Sequence, residues 1–411
     1  MNAAFEPVGK GGQPLSVFIV AGEESGDQLG GALMEAFADM AGEGVQFRGV
    51  GGTRMEEAGL NALFPMEDLT AMGVTAVLAK LPLILRRMRE TVDAILANPP
   101  DVLVLVDAPD FTHRVAARVR ARNPNIPIVK YVSPTVWIWR EGRAAAMRPY
   151  VDALLALLPF EPDVHRRLGG PPTFYVGHPL LERLDVMRPS PADDMRRAAE
   201  PPLVLVLPGS RRREIERLMP DFGAALAQVA QEKPLELVLP TLPHLRDVVE
   251  RAVETWAYKP RIITGEAEKY AAFRQARAAL AASGTVTLEL ALAGIPHVAA
   301  YKLGWLEAQI ARRVLKGTTV ILANLVIGED VVPEFLQEFC TVPVLRENML
   351  AVLADGPKRA RQEEAFARLD DIFGISGPGP SIRAAEVVLR LARQGRSKAL
   401  PHAPITVEAK S

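Results

Sequence analysis

Between Val102 and Asp107 the chain reads VLVLVD, and from Leu203 onward it reads LVLVLPGS. A strand with one wet face alternates apolar and polar residues. A run apolar at every position, stopped by a carboxylate or a glycine turn, belongs to a strand covered on both faces, as in a parallel sheet. A nearly continuous apolar run recurs at Ser16 to Ala21, Ile128 to Val132 and Ala153 to Leu158. It recurs again at 235–240 (LELVLP), 261–264 (RIIT), 278–283 (AALAAS) and 297–301 (HVAAY), with helical patterns between. Strands spaced by helices are βαβ units. The predicted fold class is therefore α/β: two Rossmann-like, doubly wound parallel-sheet halves facing a cleft, with ligands at the carboxyl ends of the strands. The expected organisation is a flexible tail (1–14), a first half (15–185) and a Pro- and charge-rich linker (186–202). A second half follows (203–375), then a C-terminal helix (376–398), for which packing back on the first half is one arrangement, and a tail (399–411).

Composition narrows the function classes. The 411 residues carry a formal net charge of −1, which gives no electrostatic footprint for nucleic acid. One cysteine, Cys340, excludes an internal disulfide and a cysteine metal cluster, and it fits a reducing cytoplasm. The N-terminal stretch MNAAFEPVGKGGQPL has no apolar core and does not read as a signal peptide. Leu280 to Tyr301 is the most apolar long segment, but Gly284, Glu289, Gly294 and Pro296 break it into strand, turn and helix rather than a membrane span.

The second half contains two turns suited to anions. At 204–220 (VLVLPGSRRREIERLMP) a strand ends in Gly209 and Ser210, meets three arginines and continues as a helix. Backbone N–H groups, a positive helix end, the Ser210 hydroxyl and Arg211 would suit a phosphate. The competing reading is a capped surface helix, with Glu214 at capping-box distance from Arg211. At 281–296 (AASGTVTLELALAGIP) Ser283, Gly284 and Thr285 form a second such turn. Glu289 beyond it needs a polar partner such as a sugar diol, because a buried carboxylate is costly; its alternative is a helix carboxylate near the positive end. Two turns in one half favour a nucleotide diphosphate. Neither carries an acidic cluster, so charge neutralisation falls to arginine and amides; no metal and no cofactor are expected.

The first half offers Gly22, Ser25, Gly26 and Asp27 in AGEESGDQLGG, at the end of the first strand, with Ser25 and Asp27 as candidate acceptor or pocket residues. In VLVDAPDF, Asp107 ends a buried strand and can serve as general base, whereas Asp110 has the simpler role of capping the next helix. YVSPTVWIWR places Ser133, Trp137 and Trp139 around a proline turn, either lining a sugar or lipid pocket or packing. His178 in FYVGHPL is a pocket residue or a structural one. LTAMGVTAVLAKLPLILRRMRE (69–90), apolar and then basic, is either a core helix or a segment lying on an anionic membrane.

Taken together, these stretches resemble the lipid-A-disaccharide synthase family of bacterial inverting glycosyltransferases. The stretches that carry the resemblance are AGEESGD, GVGGTRM (49–55), LTAMGV, VDAPDF, YVSPTVWIW, LPFE (158–161), VGHP, LPGSR, SGTVTLE and VPEFLQ (332–337), in order from residue 21 to about 340. The resemblance implies a GT-B fold whose second half holds the donor nucleotide. It implies transfer of a sugar from UDP-2,3-diacylglucosamine to the 6-hydroxyl of 2,3-diacylglucosamine 1-phosphate, giving a β-1,6 disaccharide and UDP. It maps the family's aspartate onto Asp107, its arginine onto Arg211, its glutamate onto Glu289 and its asparagine onto Asn324. Here Ala323 stands where the family has proline. Diacylated substrates imply a cytoplasmic protein, peripheral on the inner face of the inner membrane; a homodimer is one assembly open to it. Rival readings are a UDP-N-acetylglucosamine epimerase or other GT-B transferase, and a nucleotide-sugar- or lipid-binding protein without catalysis. Neither accounts for VDAPDF and SPTVWIW as well.

Overall fold

A computed structural model describes residues 14–41, 44–69, 74–304 and 319–395. The chain divides into two compact units, Met1–Leu181 with Ile375–Ser411, and Glu182–Gly374. The first holds seven strands: β1 (Leu15–Ala21), β2 (Val45–Val50), β3 (Asn61–Ala62), β4 (Val102–Val106), β5 (Ile128–Tyr131), β6 (Ala153–Ala156) and β7 (Thr173–Tyr175). All pair in parallel, in the order β3-β2-β1-β4-β5-β6-β7.

The near-continuous hydrophobicity of β1, β4 and β6 is explained by their two covered faces. Along β1, Val17, Ile19 and Ala21 pack with Leu33, Met34 and Phe37 of helix Glu24–Ala41 and with Ala384 and Val388 of helix Pro380–Gln394. Phe18 and Val20 point the other way, onto Met88, Val92 and Ile95 of helix Val74–Ala97 and Val115 and Val119 of helix Pro109–Arg122. Each of the valine, leucine, isoleucine, methionine and phenylalanine side chains among them contributes on the order of 2 kcal/mol by leaving water. The C-terminal helix is thus part of the first unit's core.

The second unit repeats the plan with β8 (Leu203–Leu207), β9 (Glu236–Pro240), β10 (Arg261–Ile263), β11 (Ala278–Ala282), β12 (His297–Tyr301) and β13 (Glu334–Leu336). These too are parallel, in the order β10-β9-β8-β11-β12-β13. In both sheets the order reverses once, between β1 and β4 and between β8 and β11. Doubly wound sheets open a crevice for ligands at that reversal.

The segment 186–202 holds helix Pro191–Ala198, started by a Ser190–Asp193 capping box. Arg197 fastens it to the second unit by donating to the carbonyls of Phe273, Arg274, Ala293 and Gly294. The C-terminal tail at 399–411, the N-terminal tail apart from Pro14, and residues 70–73 of the amphipathic segment lie outside the described residues.

Candidate active site

The reversal in the second sheet forms a cavity of about 640 Å³. One wall is Gly209, Ser210 and Arg211 at the end of β8; another is Ser283, Gly284 and Thr285 at the end of β11; Arg183, Lys269, Tyr270 and Glu289 also line it. Gly209 has φ +113°, and a Cβ there would sit 2.3 Å from Glu214 Oε2, so the turn requires glycine. The amides of Ser210 and Arg211, which the sequence offers as donors to a phosphate, are occupied. Glu214 reaches back from the first turn of helix Arg212–Glu232, and its Oε2 accepts from them at 3.1 and 3.3 Å. This is the capping box that the sequence left as the alternative. Glu214 Oε1 accepts from Arg211 Nη1 and from the Tyr301 hydroxyl, both at 2.9 Å. Arg211 is thereby tethered while its side chain stays 73% exposed, and the hydrogen bond it donates to Glu214 raises its pKa above the ordinary value.

The second turn is more open. Among the described residues, a Cβ on Gly284 would meet nothing within 4 Å, the Ser283 hydroxyl is buried without a partner, and no side chain caps the start of helix Thr285–Leu292. Glu289, buried one helical turn inside, accepts from Lys269 Nζ at 2.6 Å, and that ammonium also lies 5.0 Å from the centre of the Tyr270 ring. Arg183 pairs with Glu266 at the edge. A cavity with two glycine turns, a tethered arginine and a buried carboxylate–lysine pair can take both an anion and hydroxyl groups. The cavity unites every second-half candidate except Asn324. Asn324 is buried, donates to the Val332 carbonyl at 2.9 Å and accepts from the amides of Val331 and Val332, so it ties helix Leu322–Ile327 to the following loop.

In the first unit the reversal between β1 and β4 joins AGEESGD to VDAPDF. Asp107 keeps the sheet ladder by donating its N–H to the Tyr131 carbonyl at 3.0 Å. Asp107 and Ala108 then both adopt left-handed φ, 45° and 40°, a rare pair for non-glycine residues. The chain turns sharply there into the helix that begins at Pro109. Ser25 Oγ donates to Asp107 Oδ2 at 3.1 Å. The approach is close: a Cβ on Gly22 would lie 2.9 Å from that of Ala108.

The other first-half candidates have structural partners. Asp27 accepts three amides, from Gly52 at 2.7 Å, Arg54 at 3.0 Å and Met55 at 3.1 Å, capping the short helix of GVGGTRM. Ser133 is buried with its Oγ 2.7 Å from His165 Nε2. Trp137 packs edge-on against Phe160 at 5.3 Å. His178 is buried, accepts from the Leu180 N–H at 3.2 Å, and burial lowers its pKa to about 4. Lys269, Tyr270, Arg183 and Lys130 were not singled out by sequence. Of these only Lys130 leaves a trace, as the one charge in the apolar run IPIVKYV.

Comparison with known proteins discriminates where the fold alone does not. The UDP-GlcNAc 2-epimerase of Neisseria meningitidis, solved bound to UDP-GlcNAc, superposes with a TM-score of 0.58 at 13% identity, covering 92% of this chain and all of its own. MurG of Acinetobacter baumannii superposes at 0.56 and 14% identity, with the same coverage. These establish the GT-B architecture only. Curated lipid-A-disaccharide synthases are much nearer in sequence. That of Rhodopseudomonas palustris (strain HaA2) is 59% identical over 383 residues, spanning 92% of this chain and 96% of the relative. That of Bradyrhizobium diazoefficiens is 57% identical over 381 residues, spanning 92% and 97%. A family model described as lipid-A-disaccharide synthetase matches residues 17–371. On this ground the chain belongs to the lipid-A-disaccharide synthase family, the glycosyltransferases of lipid A biosynthesis.

Proposed function

We propose that this chain transfers the 2,3-diacylglucosaminyl group of UDP-2,3-diacylglucosamine to O6 of 2,3-diacylglucosamine 1-phosphate, with inversion, and releases UDP. Asp107 takes the proton of the acceptor 6-hydroxyl as its oxygen bonds to the anomeric carbon. The bond from that carbon to the UDP oxygen breaks, and its electron pair leaves with the diphosphate. Arg211 and the Ser283–Thr285 turn stabilise the charge that builds there, and Glu289 takes hydroxyls of the ribose. The reading is carried by the second-unit cavity, with both strand-ending turns at the sheet's reversal point, in a chain of this family.

We place the reaction at the cytoplasmic face of the bacterial inner membrane, where diacylated substrates reside. No helix among the described residues is long and apolar enough to cross a membrane. Helix Val74–Ala97 supports a peripheral contact: Leu81, Pro82, Arg86 and Arg89 are exposed along it while Met88, Val92 and Ile95 are buried. The test is UDP release from the purified protein with donor, in the presence and absence of acceptor. Acceptor-dependent release with a disaccharide product supports the reading; donor binding with no release under either condition overturns it.

A further inference from the structure

Lys130 lies in β5, one strand over from Asp107, and is 1% exposed. A lysine ammonium held that deep loses most of its hydration, so burial is tolerated only against compensating partners. Here the hydrogen-bond partners are backbone carbonyls. Nζ donates to the carbonyl of Asp107 at 2.5 Å, of Tyr131 at 3.3 Å and of Leu105 at 3.4 Å. These oxygens belong to the ends of two adjacent strands and to the first residue of the left-handed pair. Thr112 Oγ1 also donates to the Asp107 carbonyl, at 2.9 Å. Two donors therefore converge on the peptide that carries the strain, and the aspartate side chain projects from that same residue.

We propose that Lys130 is a positioning residue for the transfer reaction: its ammonium holds the Asp107 carbonyl and the ends of β4 and β5 so that the left-handed turn presents the Asp107 carboxylate to the acceptor hydroxyl. The inference rests on the reading of Asp107 as the base. Three carbonyl acceptors match the three donors of an ammonium; a neutral amine has two. Burial lowers the Lys130 pKa to about 7, against the opposing charges of Asp107 from the turn after β4 and Glu23 from the turn after β1; His113 faces it from helix Pro109–Arg122. The clamp is therefore complete on the acid side of neutrality and loses a donor as pH rises.

The experiment uses the full chain as wild type, K130M and K130R, with both substrates dispersed in one detergent. It measures kcat and both KM values from about pH 6 to about pH 9, UDP affinity by calorimetry and thermal unfolding. K130M is expected to lower kcat about 100-fold at neutral pH with UDP affinity unchanged within about twofold. Wild-type kcat should fall on the alkaline side. K130R, charged throughout, should keep more than about a tenth of wild-type kcat and lack that fall. K130M with kcat within about threefold of wild type, or wild-type and K130R profiles that superimpose, overturns the proposal. If K130M does not fold, the K130R and wild-type profiles decide; if neither variant folds, a wild-type kcat that stays flat across the range overturns it. Asp107→Asn separates the two readings. An inactive Asp107→Asn beside a fully active K130M rejects the role of Lys130 alone, whereas a fully active Asp107→Asn rejects the base itself.

Discussion

Glu214 Oε2 accepts the Ser210 N–H at 3.1 Å, so the phosphate-type turn after β8 carries an anion of its own before any ligand arrives. The same carboxylate tethers Arg211 and Tyr301, and Gly209 exists to let it in. Gly209→Ala must displace Glu214 or strain φ +113°, a cost of about 1–3 kcal/mol. The expected outcome is a melting temperature lowered by several degrees and UDP affinity weakened about tenfold or more, because Arg211 loses its tether. Scanning calorimetry and UDP titration check both. A variant that binds UDP more tightly than wild type would mean that Glu214 competes with the diphosphate rather than organising its arginine.

Asp107→Asn keeps the shape of the side chain and removes its basicity. A positioned general base contributes about 10²- to 10⁴-fold, and kcat should fall by that order. UDP affinity should stay within about twofold, since the cavity is built from second-unit residues. Ser25→Ala removes the hydroxyl that donates to the Asp107 carboxylate and should cost about tenfold in kcat. Initial rates at saturating donor decide. Equal losses in kcat and UDP affinity would point to misfolding instead of lost proton transfer.

Glu289→Gln tests the carboxylate–lysine pair of the cavity. An amide cannot pair with Lys269 as the carboxylate does, and it binds a diol less strongly. Donor KM should rise about tenfold while kcat changes only a few-fold, the signature of lost uniform binding. Lys269→Met should be harsher on stability, because it leaves the buried Glu289 carboxylate without its cation. If both variants leave donor KM unaltered, the ribose assignment fails.

The sequence makes Asp107, the Gly209–Arg211 turn and the Ser283–Thr285 turn legible for one reason. Each ends a run of residues apolar at every position, and in a doubly wound sheet such ends gather at the reversal of strand order. Partners from distant segments were not legible. Asp27 reads as a pocket residue, but its oxygens accept amides of Gly52, Arg54 and Met55, a contact created only when GVGGTRM folds beside the first helix. Asn324 likewise spends its amide group on the backbone of Val331 and Val332. Lys130 escaped notice because its acceptors, the carbonyls of Leu105, Asp107 and Tyr131, gather around it only when β4 and β5 pair.

His297 gives a test of the second unit's core that does not depend on catalysis. It is wholly buried in β12, with Nδ1–H donating to the Ile295 carbonyl at 2.9 Å and the ring stacked on Phe366 at 5.6 Å. Its Nε2 has no partner among the described residues, and Gln362 clamps its backbone N–H and carbonyl at 2.8 and 3.0 Å. Burial lowers its pKa to about 4, whereas an unfolded histidine titrates near about 6.5. Between those values the unfolded chain binds more protons, so stability rises with pH there. The neutral ring's contribution is fully present above about 6.5 and is lost as pH falls toward 4. Acidifying from pH 7 to pH 5 should cost on the order of 2 kcal/mol from this residue. Histidine-labelled NMR should show the His297 carbons in the neutral form down to about pH 4. A ring that titrates near 6.5 in the folded protein would mean that water reaches β12 and that this core is less closed than its packing indicates.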